Sequence, residues 1–460
     1  MGNKKNAWLK FDNTKKEEIF SFCEGYKKYI SDCKTERESI KEAIYLAESK
    51  GYRNLKNVIS AGKSLKAGDK VYYNNMDKSL ALFLIGSESI ESGMRIIGSH
   101  VDSPRLDLKP NPLYEDSELS LMETHYYGGV KKYQWVTIPL ALHGVVVKKD
   151  GIKIDVVVGE EETDPVVMVS DLLVHLASEQ QQKKATEVIS GEDLNILVGS
   201  MPLEGEEKEA VKANILKLLK EKYDFEEEDF MSAEIEIVPA GKARDLGLDR
   251  SMVAGYGHDD RICAYTSLLA LLETESTKKT SVVLLVDKEE VGSIGATGMQ
   301  SRFFENAVAE LMDRVGEYSE LKLRRALANS KMLSSDVTAA FDPNYAGAYE
   351  KKNSAFFGKG LAFAKYTGAR GKSGCNDANA EFVAWLRNVM DENDVAYQMA
   401  ELGKVDQGGG GTIAYILAEY GMEVIDCGVA LQNMHAPWEV ASKVDIFETM
   451  RGYKAFLMAE

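Results

Sequence analysis

The chain has 460 residues, 44% of them hydrophobic, and carries 73 acidic against 56 basic side chains for a formal charge of −17. That hydrophobic content excludes a disordered chain, the length exceeds one ordinary core, and the acidic balance excludes nucleic acid as a partner, since no Lys/Arg cluster is interleaved with aromatics. Five scattered cysteines, none in a C-x-x-C pair, read as reduced thiols; with no signal-peptide core near Met1 and no run of about 18 apolar residues, the expectation is a soluble cytoplasmic protein that does not bind membranes.

Ile19, Phe20, Phe22, Tyr26, Ile30, Ile40, Ala43 and Ile44 fall at mostly helical spacing among charges, which predicts two surface helices over 15–50 or one broken near Ser31-Asp32. Val71-Tyr72-Tyr73, a turn at Asn74-Asn75 and the apolar run 80–85 predict a hairpin. The run from Met94 is a strand that stops at its polar residues, because Pro104 cannot continue a central ladder; His100 and Asp102 therefore sit at a strand exit. From Glu118 to Val158, short β-rich runs alternate with turns such as Lys149-Asp150-Gly151. A short helix is predicted over 172–181 and a charged helix over 204–229, ending in the acidic run Glu226-Glu227-Glu228-Asp229, expected to be solvated.

Residues 106–249 thus read as a β-rich domain inserted into a catalytic domain formed by 1–105 and 250–460. Past Val253, strands alternate with amphipathic helices predicted at 262–272, 303–315, 378–390, 412–420 and 446–458. That alternation implies an α/β fold with a mostly parallel sheet covered by helices on both faces.

The chemistry centres on Ser281-Val-Val-Leu-Leu-Val286, a buried strand, followed by Asp287-Lys288-Glu289-Glu290. Adjacent side chains on an extended backbone point to opposite sides, so one carboxylate can hold a metal while the other handles a proton. A strand running into a solvated acidic loop fits the same residues. Of the six histidines, two stand in metal-like contexts: His100, with Asp102 two residues on, and His435, after the strand-like 423–426. The acids are Asp259-Asp260, which open a helix, Glu289-Glu290, and Asp336 in Ser335-Asp336-Val337-Thr338. All fall at or past the carboxyl end of a predicted strand, where open parallel sheets place their crevices. Three carboxylates, Asp259, Glu290 and Asp336, with two neutral imidazoles and a bridging hydroxide balance two divalent cations, whereas a single metal leaves excess negative charge.

The motifs Gly98-Ser-His100-Val-Asp102-Ser-Pro104-Arg105, His258-Asp259-Asp260-Arg261, Asp287-Lys-Glu289-Glu290-Val-Gly292-Ser, Ser335-Asp336-Val-Thr and Asn433-Met434-His435 together resemble the M18 metalloaminopeptidases, the aspartyl aminopeptidase family, in the family's order from about residue 15 onward. The resemblance implies a phosphorylase/hydrolase-like peptidase using two divalent ions, zinc with cobalt or manganese as alternatives, to hydrolyse the N-terminal residue of peptides. It implies that His100 and Asp336 hold one ion and Glu290 and His435 the other, with Asp259 between them, Glu289 as general base and Asp102 in support. It also implies that the insertion is a dimerisation domain, that dimers build a tetrahedral dodecamer, and that His175 reaches a neighbouring subunit's active site. Lys288, where better-known members have Asn or His, and the glycine-rich Asp406-Gln-Gly408-Gly-Gly-Gly411-Thr412 resemble a bacterial branch and leave the preference for acidic N-terminal residues open. Those four glycines fit an anion cradle or a plain flexible loop. Lys359, between Gly358 and Gly360, is a candidate cation for an acidic substrate side chain. Two alternatives stay open: a related two-metal hydrolase of N-acyl amino acids or C-terminal residues, and a non-catalytic oligomeric scaffold. No H-E-x-x-H or G-x-S-x-G occurs, so single-zinc protease and serine hydrolase chemistries lack their residues.

Overall fold

The computed structural model describes residues 5–460; the first four residues of the stretch read for a signal peptide lie outside the described residues. Two compact units emerge, one comprising the chain to Asp102, Ala243–Met434 and Glu439–Glu460, the other Ser103–Lys242 with His435–Trp438. Among the described residues, no helix is long and apolar enough to cross a membrane.

The larger unit is built on a nine-stranded sheet in the order Arg53–Asn54, Lys70–Asn75, Ser79–Leu84, Ser281–Val286, Arg95–His100, Lys331–Ser335, Glu423–Gly428, Leu361–Ala364, Tyr397–Met399. Ser281–Val286, Arg95–His100, Lys331–Ser335 and Glu423–Gly428 run parallel, so their carboxyl ends align along one edge. Ser281–Val286 is buried at every residue, as its continuous apolar run requires of a strand covered on both faces. Ile97, Val283, Leu333 and Ile425 pack on one face against Asn13–Asp32, Glu36–Ser49, His258–Leu272, Ala380–Glu392 and Lys443–Met458; Ile96, Leu284, Met332 and Val424 pack on the other against Leu55–Ser60, Phe303–Arg314, Glu320–Ala328 and Ala414–Ala418.

The sheet is mixed outside its centre, since Ser79–Leu84 and Leu361–Ala364 run antiparallel to their inner neighbours. The hairpin turn lies past the predicted Asn74-Asn75: both residues stay in the strand, Met76 and Asp77 take the left-handed conformation, and the Asp77 amide donates to Asn74 Oδ1. A five-stranded sheet joins Arg244–Leu246, Met252–Gly255, Glu439–Ser442, Ala430–Gln432 and Thr338–Ala339. It takes in part of 243–249, assigned from sequence to the insertion, because Arg244–Leu246 pairs with Met252–Gly255.

The smaller unit is an antiparallel seven-stranded sheet in the order Lys153–Val158, Leu140–Val147, Ala233–Pro239, Arg105–Asp116, Leu119–Tyr127, Ile196–Gly199, Met168–Val169. The predicted helix over 172–181 is absent. Two 3₁₀ turns, Val174–Leu176 and Gln180–Gln182, stand in its place, because consecutive apolar residues do not make a helical stripe and Leu172, Leu173, Val174 and Leu176 stay 46–66% exposed. The charged helix is confined to Ala210–Tyr223. The acidic run is only partly solvated: Asp229 is buried and accepts the Glu226 amide, capping the turn Glu227–Ser232.

Candidate metal centre

The carboxyl edge of the parallel strands assembles His100, Asp102, Asp259, Asp260, Glu289, Glu290 and Asp336 within the larger unit. His100 is the last residue of its strand; Asp336 follows Lys331–Ser335, and its amide donates to the Cys427 carbonyl. After Ser281–Val286, Lys288 takes the left-handed conformation (φ 70°) and turns the chain into a single 3₁₀ turn carrying both glutamates. Asp102 anchors that turn, its Oδ1 accepting the Glu289 amide at 3.1 Å and its Oδ2 the Glu290 amide at 3.2 Å.

His100 Nδ1 lies 2.9 Å from the Asp102 carbonyl oxygen, a contact that as a donated hydrogen bond turns the Nε2 lone pair inward. Nε2 is 3.2 Å from Asp259 Oδ1, 3.7 Å from Asp336 Oδ1 and 3.8 Å from Glu289 Oε2, yet it is buried with no hydrogen-bond partner. Asp259 is positioned by Glu439, which accepts its amide at 3.0 Å, and by the start of His258–Leu272. There the buried Arg261 guanidinium donates to the carbonyls of Gly257, Tyr256 and Cys33, and Tyr26 hydrogen-bonds His258 Nδ1. Asp260 Oδ2 accepts the His100 amide at 3.3 Å.

These groups crowd negative charge into a dry place. Burial pushes the Glu289 carboxyl up to about 8, opposed by His100 and reinforced by Asp336, Asp102 and Asp259. Burial likewise raises Asp336, and it raises Asp260 strongly with the Asp336 charge adding. For His100, burial disfavours the imidazolium, but Asp102, Asp259 and Asp336 outweigh it and lift its pKa well above the usual value. In contrast, burial drives His258 down to about 3, keeping it neutral beside Tyr26. Possible ligand atoms of His100, Asp260 and Asp336, and of His100, Glu289 and Glu290, cluster within 4.8 Å. The unbonded His100 nitrogen facing several carboxylates fits a divalent cation, which would offset their repulsion, and the nitrogen and oxygen donors suit zinc, cobalt or manganese.

His435 and His175 lie in the smaller unit. His435 takes the left-handed conformation, with Nδ1 2.9 Å from the Gly129 carbonyl oxygen, a pairing that leaves Nε2 as its other donor atom. His175 is exposed on its 3₁₀ turn. In the larger unit, the glycines around Lys359 have a local explanation: the amides of Gly358 and Gly360 both donate to the Asp445 carboxylate at 2.7 Å. Gly408 sits where a Cβ would meet the Leu402 carbonyl oxygen at 1.8 Å, so close backbone packing accounts for that glycine. Sequence reasoning missed Glu439 and Tyr26, which position Asp259 and His258 from elements distant in sequence; no local pattern marks either.

The sequence profile of the Aminopeptidase I zinc metalloprotease family (M18) matches residues 29–457. A probable M18 family aminopeptidase 1 of Clostridium acetobutylicum is 66% identical over 454 residues, 98% of each chain, and one of Thermotoga maritima is 46% identical over 455 residues, 99% of this chain and 98% of that one. Among solved structures, aminopeptidase I from Clostridium acetobutylicum superposes with TM-score 0.93 at 65% identity and the M18 aminopeptidase from Thermotoga maritima with 0.94 at 45%, each covering 99% of both chains. The yeast mApe1 dodecamer shares the fold at TM-score 0.77 and 20% identity, covering 95% of this chain and 96% of that one.

Proposed function

This chain belongs to the M18 family of zinc metalloproteases, and on that premise we propose that it is an aminopeptidase removing the N-terminal residue of peptides at a two-metal centre. The observation that carries the proposal is His100 Nε2, buried and unbonded within 3.2–3.8 Å of three carboxylates. His100 and Asp336 would hold one ion, Glu290 and His435 would hold the other, and Asp259 would serve as a further carboxylate ligand. When bound, the ions supply an activated water and neutralise the charge of the tetrahedral intermediate. Glu289 would take a proton from the attacking water and deliver it to the departing amine, a task that suits a carboxyl raised toward neutrality. Asp102 keeps both glutamates in place through their amides.

Acidic N-terminal residues are the proposed preferred substrates. The protein works as a homo-oligomer, dimers assembling into a dodecamer like that named for the yeast relative. The exposed Leu172, Leu173, Val174 and Leu176 offer a surface for a second subunit and carry His175 toward that subunit's site. Five unpaired cysteines support a reducing, cytoplasmic setting. A panel of aminoacyl chromogenic substrates with free and acetylated amines, assayed with zinc, cobalt and manganese, tests the activity: free-amine substrates should turn over and blocked ones should not. Equal or faster cleavage of blocked substrates would replace this reading with an N-acyl hydrolase, and no turnover with metals loaded would favour the scaffold.

A further inference from the structure

A second concentration of charge lies at the opposite edge of the nine-stranded sheet. Arg95 and Lys331 are the first residues of adjacent parallel strands and are register partners, so their side chains leave the same face. His100 and Asp336 lie five residues further along each chain, about 17 Å away at roughly 3.3 Å per residue. Arg95 is 4% exposed, its Nε has no hydrogen-bond partner, and among the described residues neither cation has an ion-pair or side-chain hydrogen-bond partner.

Their contacts are aromatic instead. The Arg95 guanidinium lies 5.0 Å from the Trp385 ring, and the Lys331 ammonium 5.3 Å from Trp385 and 5.0 Å from Phe382. Ring faces offset part of the burial but accept none of the directional hydrogen bonds a guanidinium offers. Like charges on adjacent strands also repel, and burial lowers both pKa values, with Arg95 lowering Lys331 further. The acids nearby offset this only in part. Glu423, the register neighbour of Lys331 on the next strand, raises its pKa and accepts from Asn379 at 2.9 Å through Oε1, while its buried Oε2 has no hydrogen-bond partner. Glu88, which raises the pKa of Arg95, pairs with Lys279 at 2.8 Å.

We infer that Arg95 and Lys331, walled by Trp385, form a binding site for a small oxyanion, remote from the metal centre. A phosphate- or sulfate-sized group satisfies the guanidinium donors and the ammonium together and turns their repulsion into shared attraction. Lys331 is only partly buried, which leaves an approach from solvent.

Thermal unfolding of the metal-loaded protein tests this, with sodium sulfate, inorganic phosphate or AMP each titrated to 20 mM (about the low-millimolar range of a weak site) against sodium chloride at equal ionic strength. Sulfate and phosphate should raise Tm saturably by about 2 °C. Lys331→Met and, if it folds, Arg95→Met should weaken the apparent affinity at least about ten-fold, the order expected for a lost charge-assisted hydrogen bond, while aminopeptidase turnover is unchanged. AMP acting like phosphate identifies a free oxyanion as the ligand, and AMP acting at lower concentration identifies a nucleotide's phosphate. No saturable shift in the wild type, or an equal shift in Lys331→Met, overturns the site.

Discussion

At the scale of single residues, the proposed roles separate two neighbours that look alike in sequence. Glu289 and Glu290 share an anchor in Asp102, and burial raises the Glu289 carboxyl to about 8, opposed by His100. Glu289→Gln is expected to lower kcat by roughly 10²–10⁴ with metal content intact, the usual range for a general base. Glu290→Gln should instead lose one ion per subunit. Metal analysis and turnover of the two purified variants check this, and equal metal loss in both would reverse the assignment. His100, Asp259, Glu289, Glu290 and Asp336 were legible because strand ends and acidic pairs leave local patterns. Glu439 was not, because its contact with the Asp259 amide is made across 180 positions.

At the scale of elements, the start of His258–Leu272 shows what holds Asp259 in place. Gly257 has φ 72°, and a Cβ there would lie 1.5 Å from an Arg261 terminal nitrogen. Gly257→Ala should therefore cost roughly 2–4 kcal/mol, combining left-handed strain with a disturbed buried guanidinium, and should weaken zinc binding as well. Urea melts and zinc titration test it; an unchanged melt would mean Arg261 adapts without loss.

Asp445, in the first turn of Lys443–Met458, provides a pH test. Burial pushes its carboxyl up to about 7 against the amides of Gly360 and Gly358 that stabilise its charge. A raised folded pKa means its contribution is fully present below the unfolded value of about 4 and is lost as pH rises through 7. Asp445→Asn should flatten that part of the decline in urea melts between pH 4.5 and 8; a decline as steep as the wild type's would show the carboxyl is already charged.

Helices with a clear apolar stripe and strands with continuous apolar runs were legible as elements. The antiparallel direction of Ser79–Leu84 was not, since a fully buried strand reads the same either way. Nor were the two- to four-residue strands of the five-stranded sheet, too short to show a period.

At the scale of the whole molecule, the proposed assembly makes the site incomplete in one subunit. His175→Ala should lose roughly 10²–10³ in kcat, the usual cost of removing one oxyanion donor, while keeping its metals. Mixing it with Glu289→Gln under subunit exchange should restore part of the activity, because some mixed dimers contain one site with both residues intact. An unchanged rate, or no recovery despite demonstrated exchange, leaves His175 a packing residue. The exposure of Leu172–Leu176 could not be read from sequence, where the same apolar residues fit a buried helix. Only the fold shows that, among the described residues, Leu172, Leu173, Val174 and Leu176 are left 46–66% exposed.

A two-metal centre that acts on a free amine couples turnover to both metal occupancy and the substrate's amine. Its most direct test is zinc titrated into chelated protein while hydrolysis of an aminoacyl substrate is followed beside its N-acetylated counterpart. Turnover should climb to its plateau only as the second equivalent per subunit binds, and only for the free amine. Full activity at one equivalent, or a rate that ignores the amine, would contradict the account.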